Sequence, residues 1–210
     1  MNLTPSDLTQ FMVLGDLNEL PTSGQWPTIL LLSHEILLWL GADRKCLFFI
    51  WFSPCEWRRL LAFSKRVPGL YVGRPDEALV QVCSAMMTMG WLSAVSIIEH
   101  LFRNQAAWSH SLDKGMPPAA EVRRDAKAPW SPFREHNRAW QLFIDNTDVM
   151  EIFGDFSKNN TLLGSDCEWL LGFERFWEEI GAPGNPDQLV MRSADHTSLG
   201  VRIMGIEGRL

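Results

Sequence analysis

The fourteen residues Trp140-Gln141-Leu142-Phe143-Ile144-Asp145-Asn146-Thr147-Asp148-Val149-Met150-Glu151-Ile152-Phe153 constrain this chain more than any other stretch. Two short apolar arms flank a polar tip. The first arm is rich in aromatic and β-branched residues, Asp-Asn-Thr-Asp favours a turn, and the second arm returns with Val149, Met150, Ile152 and Phe153, so a β-hairpin is predicted with Asp145 at its tip. A carboxylate held at a strand end among apolar neighbours suits a catalytic divalent metal. The plainer reading is a turn capped by Asp and Asn.

With 210 residues, 46% of them hydrophobic, the chain can bury a real core as one domain or two closely packed subdomains. The apolar run from Ile29 to Phe52 is broken by His34, Glu35, Asp43, Arg44 and Lys45 into pieces too short to span a bilayer, and the start lacks the pattern of a signal peptide. A soluble, intracellular protein with no membrane partner is expected. Cys46, Cys55, Cys83 and Cys167 show no zinc-ligand spacing and are expected as reduced thiols. The net charge is −6, but residues 139–210 carry 5 basic and 12 acidic groups, which leaves +1 for the rest. That balance counts against tight, independent binding of a duplex, although a polymerase site is itself acidic.

Residues 1–28, broken by Gly15, Pro21, Gly24 and Pro27, read as an irregular lead-in to a domain over 29–210. Ile29–Leu32 and Ile36–Leu40 read as two strands joined at Ser33-His34-Glu35, with His34 in solvent. The aromatic run that Asp43 introduces reads as fully buried. Ser53-Pro54-Cys55-Glu56 reads as a capped start to a helix reaching about Phe63. Residues 65–75 read as loop or bent strand. Glu77–Gln105 reads as helical, interrupted at Thr88-Met89-Gly90-Trp91, with Ala94, Val95, Ile98, Leu101 and Phe102 as a core stripe. Residues 113–138, with four prolines, read as a surface loop. Ser165-Asp166-Cys167-Glu168 caps a second helix whose apolar face holds Trp169, Leu170, Phe173, Phe176, Trp177 and Ile180 and which Gly181 stops. Ser198–Ile206 reads as a closing strand.

Three segments and a trailing pair occur in an order that resembles the palm of retroelement reverse transcriptases, over roughly residues 14–210. Ala42-Asp43-Arg44-Lys45-Cys46-Leu47-Phe48 with Pro54 and Trp57 resembles the first metal-binding motif. Thr88-Met89-Gly90-Trp91-Leu92-Ser93-Ala94 resembles the template and nucleotide motif, and Phe143-Ile144-Asp145-Asn146 stands where the family has Tyr-x-Asp-Asp. Gly181–Val190 and Ser198-Leu199-Gly200 resemble the trailing motifs that support the nucleotide and grip the primer. The resemblance implies an α+β fold, a palm-like antiparallel sheet backed by helices, with a partial fingers region and no thumb. It implies RNA-directed DNA polymerisation by two metal ions, Mg²⁺ or Mn²⁺, on an RNA or DNA template-primer with dNTP. Asp43 and Asp145 would hold metal and Asn146 would complete the catalytic set. Met89, Gly90, Trp91, Phe143 and Gln188 would contact nucleotide or template, and Leu199 and Gly200 the primer.

The departures from the family pattern all point toward impaired chemistry. Asn146 replaces the second Asp, Gln188 stands where a proton-donating Lys is expected, and Thr88 replaces Pro. With the thumb absent, Trp169, Phe173, Phe176 and Trp177 are expected to be partly exposed, giving self-association through apolar surface. Two further readings come from other classes. One is a non-catalytic nucleic-acid or protein-binding module on the palm shape, the other an unrelated α+β interaction protein. Facing carboxylates of Asp43 and Asp145 on adjacent strands would separate the last from the others.

Overall fold

The computed structural model describes residues 20–88, 94–111, 116–125, 137–154, 163 and 167–206. The chain divides into two compact units, Leu14–Lys45 with Ser96–Leu210, and Met1–Val13 with Cys46–Val95. The fold is mixed α and β with antiparallel sheets.

The larger unit is built on β1 (Glu35–Asp43), the central strand of a four-stranded sheet. The predicted hairpin forms as β4 (Arg138–Phe143) and β5 (Asn146–Gly154), joined by the two-residue turn Ile144-Asp145. β5 lies antiparallel to β1 from Glu35↔Gly154 to Asp43↔Asn146. On the other edge of β1 sits β6 (Val190–Ser193), so the order is β4-β5-β1-β6. Directly opposed residues share a face. Leu37, Trp39, Ala139, Met150 and Ile152 therefore form one apolar face, which packs with Trp26, Val122 and Ile203. Leu38, Leu40, Leu142 and Val149 point to the other, equally dry face.

Ile29–Leu32 is not the strand expected. Both edges of β1 are already taken by β5 and β6, so the segment has no ladder to join. It runs alongside instead, with Ile29 and Leu31 on the core and Leu30 and Leu32 exposed. The lead-in is more ordered than its composition suggests: Ser23–Thr28 is a 3-10 helix that buries Trp26. The predicted closing strand is a hairpin, β7 (Asp195–Ser198) and β8 (Val201–Met204), turned at Leu199-Gly200. Leu199 and Gly200 both adopt positive φ, 47° and 77°. That turn conformation ends the alternation that had looked continuous.

In the smaller unit, α1 (Leu47–Ile50) buries Leu47 and Phe48, but Phe49 and Phe52 are mostly exposed, which corrects the fully buried aromatic run. The helix expected from Pro54 to Phe63 is the single turn α2 (Cys55–Arg58) plus a 3-10 turn, and its N-cap is Pro54 rather than Ser53. The chain then extends as β2 (Ala62–Val67) against β3 (Val80–Cys83). Helix over 77–88 is thus overturned. The alternation Val80-Gln81-Val82 favours a pleated pairing once β2 is beside it.

Helix α3 (Ala94–Ser111) carries most of the predicted stripe: Ala94, Ile98 and Phe102 are fully buried, Val95 and Leu101 are half-buried, and Ala106 extends the buried row. Phe102 meets Phe173 at 5.5 Å and Trp177 at 4.7 Å on α4 (Glu168–Glu179). The N-cap of α4 is Cys167, whose sulfur accepts from the Leu170 amide at 3.5 Å, and the helix ends before Gly181 at φ 83°. Phe173, Phe176 and Trp177 are buried rather than exposed, because α3 supplies the cover that the sequence reading assigned to a further domain. Among the described residues no helix is long and apolar enough to cross a membrane.

Candidate functional site

The C-terminal end of β1 and the tip of the β4–β5 hairpin meet because they pair. Asp43 stands opposite Asn146, and Asp145 lies in the turn just before it. Two backbone bonds extend the ladder round the corner. The Arg44 amide donates to the Asp145 carbonyl at 3.0 Å, and the Asn185 amide to the Asp43 carbonyl at 2.8 Å. Ile144 completes the turn at φ 60°, a left-handed conformation that a β-branched residue adopts only under constraint. Burial raises the Asp145 carboxyl above its usual range, and the nearby charge of Asp43 adds to the rise. The charge of Asp43 thus reaches the Asp145 carboxyl at this corner.

Arg44 lies beneath them with its side chain wholly buried. It ion-pairs with Glu174, donates to the Ala182 carbonyl at 3.3 Å and sits 5.8 Å from the Trp177 ring. Burial pulls its pKa down to about 10, opposed by the charges of Asp43 and Glu178. This cation fixes the residue after Asp43 to α4.

Asn185 is the contributor that sequence reading missed. Its Nδ2 donates to Oδ2 of Asp43 at 3.4 Å, and its Oδ1 accepts from the Asp187 amide at 3.4 Å, capping the 3-10 turn Pro186–Gln188. Gln188, Phe143, Asn146 and Leu199 then line one cavity of about 340 Å³. Four of the predicted positions therefore converge, with Gly200 in the same turn as Leu199. Met89, Gly90 and Trp91 lie outside the described residues.

The floor of this cavity is polar. Asp148 shares the face of Asn146 by strand alternation, but it is not free to act at the tip. Its Oδ2 accepts from Gln141 Nε2 and Ser198 Oγ, both at 2.9 Å, and Gln141 in turn accepts from the Trp26 indole at 3.3 Å. His196 also lines the cavity and stacks on Trp39 at 5.5 Å. The network ties the β7–β8 hairpin to the sheet. Burial raises the Asp148 carboxyl, against the lowering effect of its bonds to Gln141 and Ser198. Burial lowers the His196 imidazole, against Asp148 and Asp195.

The sign for Asp148 follows from linkage. In the unfolded chain the carboxyl ionises near 3.8, whereas in the fold it holds its proton to higher pH. Stability is therefore lost as pH rises through that interval. His196 acts oppositely, losing stability as pH falls below 6.5, where the unfolded chain takes a proton first. Asp148→Asn keeps an acceptor for Gln141 and Ser198 without the buried charge. It is expected to raise the urea midpoint at neutral pH, with the gain shrinking as pH falls toward 3.8. A loss of stability that is the same at every pH would refute this account of the floor.

Hard divalent cations rank sites by charge and oxygen count. Asp43, Asp145 and the amide oxygen of Asn146 would offer such a cation two carboxylates and one neutral oxygen, with the buried Arg44 guanidinium nearby. Among the described residues no group of three or more His, Cys, Asp or Glu converges. No protein-family model matches the chain, and no curated protein matches it.

Proposed function

We propose that the chain is a reverse transcriptase-like palm, related to RNA-directed DNA polymerases of retroelements, whose nucleotidyl-transfer chemistry is impaired at Asn146. The observation that carries this reading is the meeting of Asp43 with Asp145 and Asn146 at the ends of adjacent antiparallel strands. The convergence of Phe143, Gln188 and Leu199 on one cavity beside them supports it, since the resemblance implies nucleotide and primer contacts for these positions.

In this reading Asp43 and Asp145 would hold a divalent ion, which when bound would polarise a primer hydroxyl and the phosphate it attacks. The chain's own residues do the rest. Phe143 offers an apolar wall to a base or sugar, and the hairpin turn at Leu199-Gly200 faces the same space. Gln188 can donate a hydrogen bond but has no acidic proton to give a leaving pyrophosphate. The consequence is slow chemistry even where binding survives. This specific deficit also favours a second reading, a template-primer binding module that has kept the shape and lost the turnover.

The experiment is Mn²⁺-dependent primer extension on an RNA template, with Asp145→Ala as control and Asn146→Asp as the repaired variant. Asn146→Asp is expected to tighten Mn²⁺ binding by about tenfold, the 1.4 kcal/mol that one added carboxylate contact readily supplies, and to raise extension above the parent chain. Titration calorimetry reads the first effect independently of the second. Unchanged Mn²⁺ affinity in Asn146→Asp would remove the metal from this corner. Tightened affinity with no extension would select the binding module.

A further inference from the structure

The Cys46–Val95 unit contains a feature that the carboxylate site does not use. From Arg58 to Arg74 the chain has five basic residues and no acidic one, within a protein of net charge −6. Arg58 donates Nε to the Ser53 carbonyl at 3.2 Å, and Arg74 pairs with Glu77. The other three, Arg59, Lys65 and Arg66, are exposed, and their side chains make no ion pair or hydrogen bond among the described residues.

The ladder beneath them is interrupted. β2 pairs with β3 at Ala62↔Cys83 and again at Arg66↔Gln81, so the three residues Phe63-Ser64-Lys65 stand against Val82 alone. This bulge pushes the segment out of the ribbon. The Gln81 side chain takes up the Phe63 carbonyl that the ladder leaves over. Every residue from Ala62 to Arg66 is exposed, so both faces of β2 meet solvent along this stretch. Phe63 is 60% exposed, and Tyr71, on the 3-10 turn Gly69–Val72 that follows, is 79% exposed.

We propose that this bulged ribbon and the following turn form a binding surface for single-stranded nucleic acid, with Lys65, Arg66 and Arg59 on phosphates and Phe63 and Tyr71 stacking on bases. Exposed rings set among cations, without a carboxylate in the run, match a strand with a charged backbone and unpaired π faces. The three cations found without a partner among the described residues are too few for a duplex, whose bases are already stacked and out of reach. An acidic protein segment would satisfy the cations but leave the rings without a partner of their own. The proposal rests on this unit alone and does not depend on the carboxylate corner.

The test is fluorescence anisotropy on the full chain with labelled oligo-dT and oligo-rU of about 16 nucleotides, a length within the range one binding module covers, over a salt series. A blunt duplex of equal length serves as comparison. Three neutralised phosphates predict a slope of about −2 in log affinity against log salt. Lys65→Ser with Arg66→Ser should flatten that slope by about two thirds and weaken binding by tenfold or more. Phe63→Ser should weaken binding by about fivefold or more with the slope unchanged, the signature of a lost stack. Asp145→Ala should bind as the parent does, which separates this surface from the proposed polymerase corner. Circular dichroism on each variant secures the comparison. Wild-type affinity in the double cation variant would overturn the proposal. So would equal preference for the duplex, or displacement of the oligonucleotide by polyglutamate at equal charge, which would assign the surface to an acidic protein.

Discussion

Glu151→Ala is expected to cost about 3–5 kcal/mol of unfolding free energy, the range for breaking a buried ion pair by removing one member. Glu151 is fully buried on β5, with Oε1 2.6 Å from Arg138 Nε and Oε2 accepting from Arg192 Nε at 2.5 Å. Arg192 is itself only 8% exposed and lies 5.4 Å from the Phe153 ring, while Arg138 reaches on to Glu168 at the start of α4. Removing the carboxylate leaves two cations facing each other, one of them out of water. The trio spans β4, β5 and β6, so its failure loosens the sheet behind the Asp43–Asp145 corner. Guanidinium unfolding of the purified variant measures the loss. A double replacement, Glu151→Leu with Arg192→Leu, should recover much of it, because an apolar pair of similar volume removes both desolvation costs. A single-variant loss under about 1 kcal/mol would mean that solvent reaches the trio.

Gly205→Ala is expected to cost about 3 kcal/mol, at the top of the usual range for forced overpacking. A Cβ at this position would overlap the Leu37 carbonyl oxygen, which is backbone and cannot swing aside. The approach has a purpose. The Leu37 amide donates to the Gly205 carbonyl at 3.1 Å, and the Gly205 amide to Ala194 at 2.7 Å, so the end of the β7–β8 hairpin is stitched to β1 past the end of β6. Prising it away should also release Ser198 from Asp148 and open the cavity floor. The check is a thermal or urea melt together with the accessibility of His196 to carbethoxylation, which should rise in the variant. A melt within error of the parent would show that the hairpin can shift at no cost.

What the sequence made legible depended on how local the cause was. The β4–β5 hairpin was readable because period-two arms and a polar tip both lie within fourteen residues. Helix α4 was readable from its apolar stripe and from Gly181, the left-handed stop. The β2–β3 ribbon was not, because a short Val-x-Val run between turn residues gives no helix-or-strand decision until a partner strand is present. Burial of Phe173, Phe176 and Trp177 needed the arrival of Phe102 on α3, which periodicity alone does not assign to a neighbour. The corner showed the same division. Asp43, Asp145 and Asn146 could be picked from their motifs. Asn185 could not, since its bond to Asp43 spans 142 residues and an Asn before a Pro reads as ordinary turn chemistry. Asp148 sat in plain view, but its engagement by Gln141 and Ser198 depends on a hairpin that folds over from the far end of the chain.

The Asn185 bond has a consequence of its own. One amide side chain holds the Asp43 carboxylate with its nitrogen and the turn leading to Gln188 with its oxygen. It works as a bell crank, a rigid piece pivoted between two arms. Any cation drawn to Oδ2 of Asp43 competes with the Asn185 nitrogen, and the side chain that yields there loosens its grip on the Asp187 amide. Free-energy coupling of this kind runs equally in both directions. A shift of the turn leading to Gln188 is thereby expected to reach the Asp43 carboxylate through this one side chain.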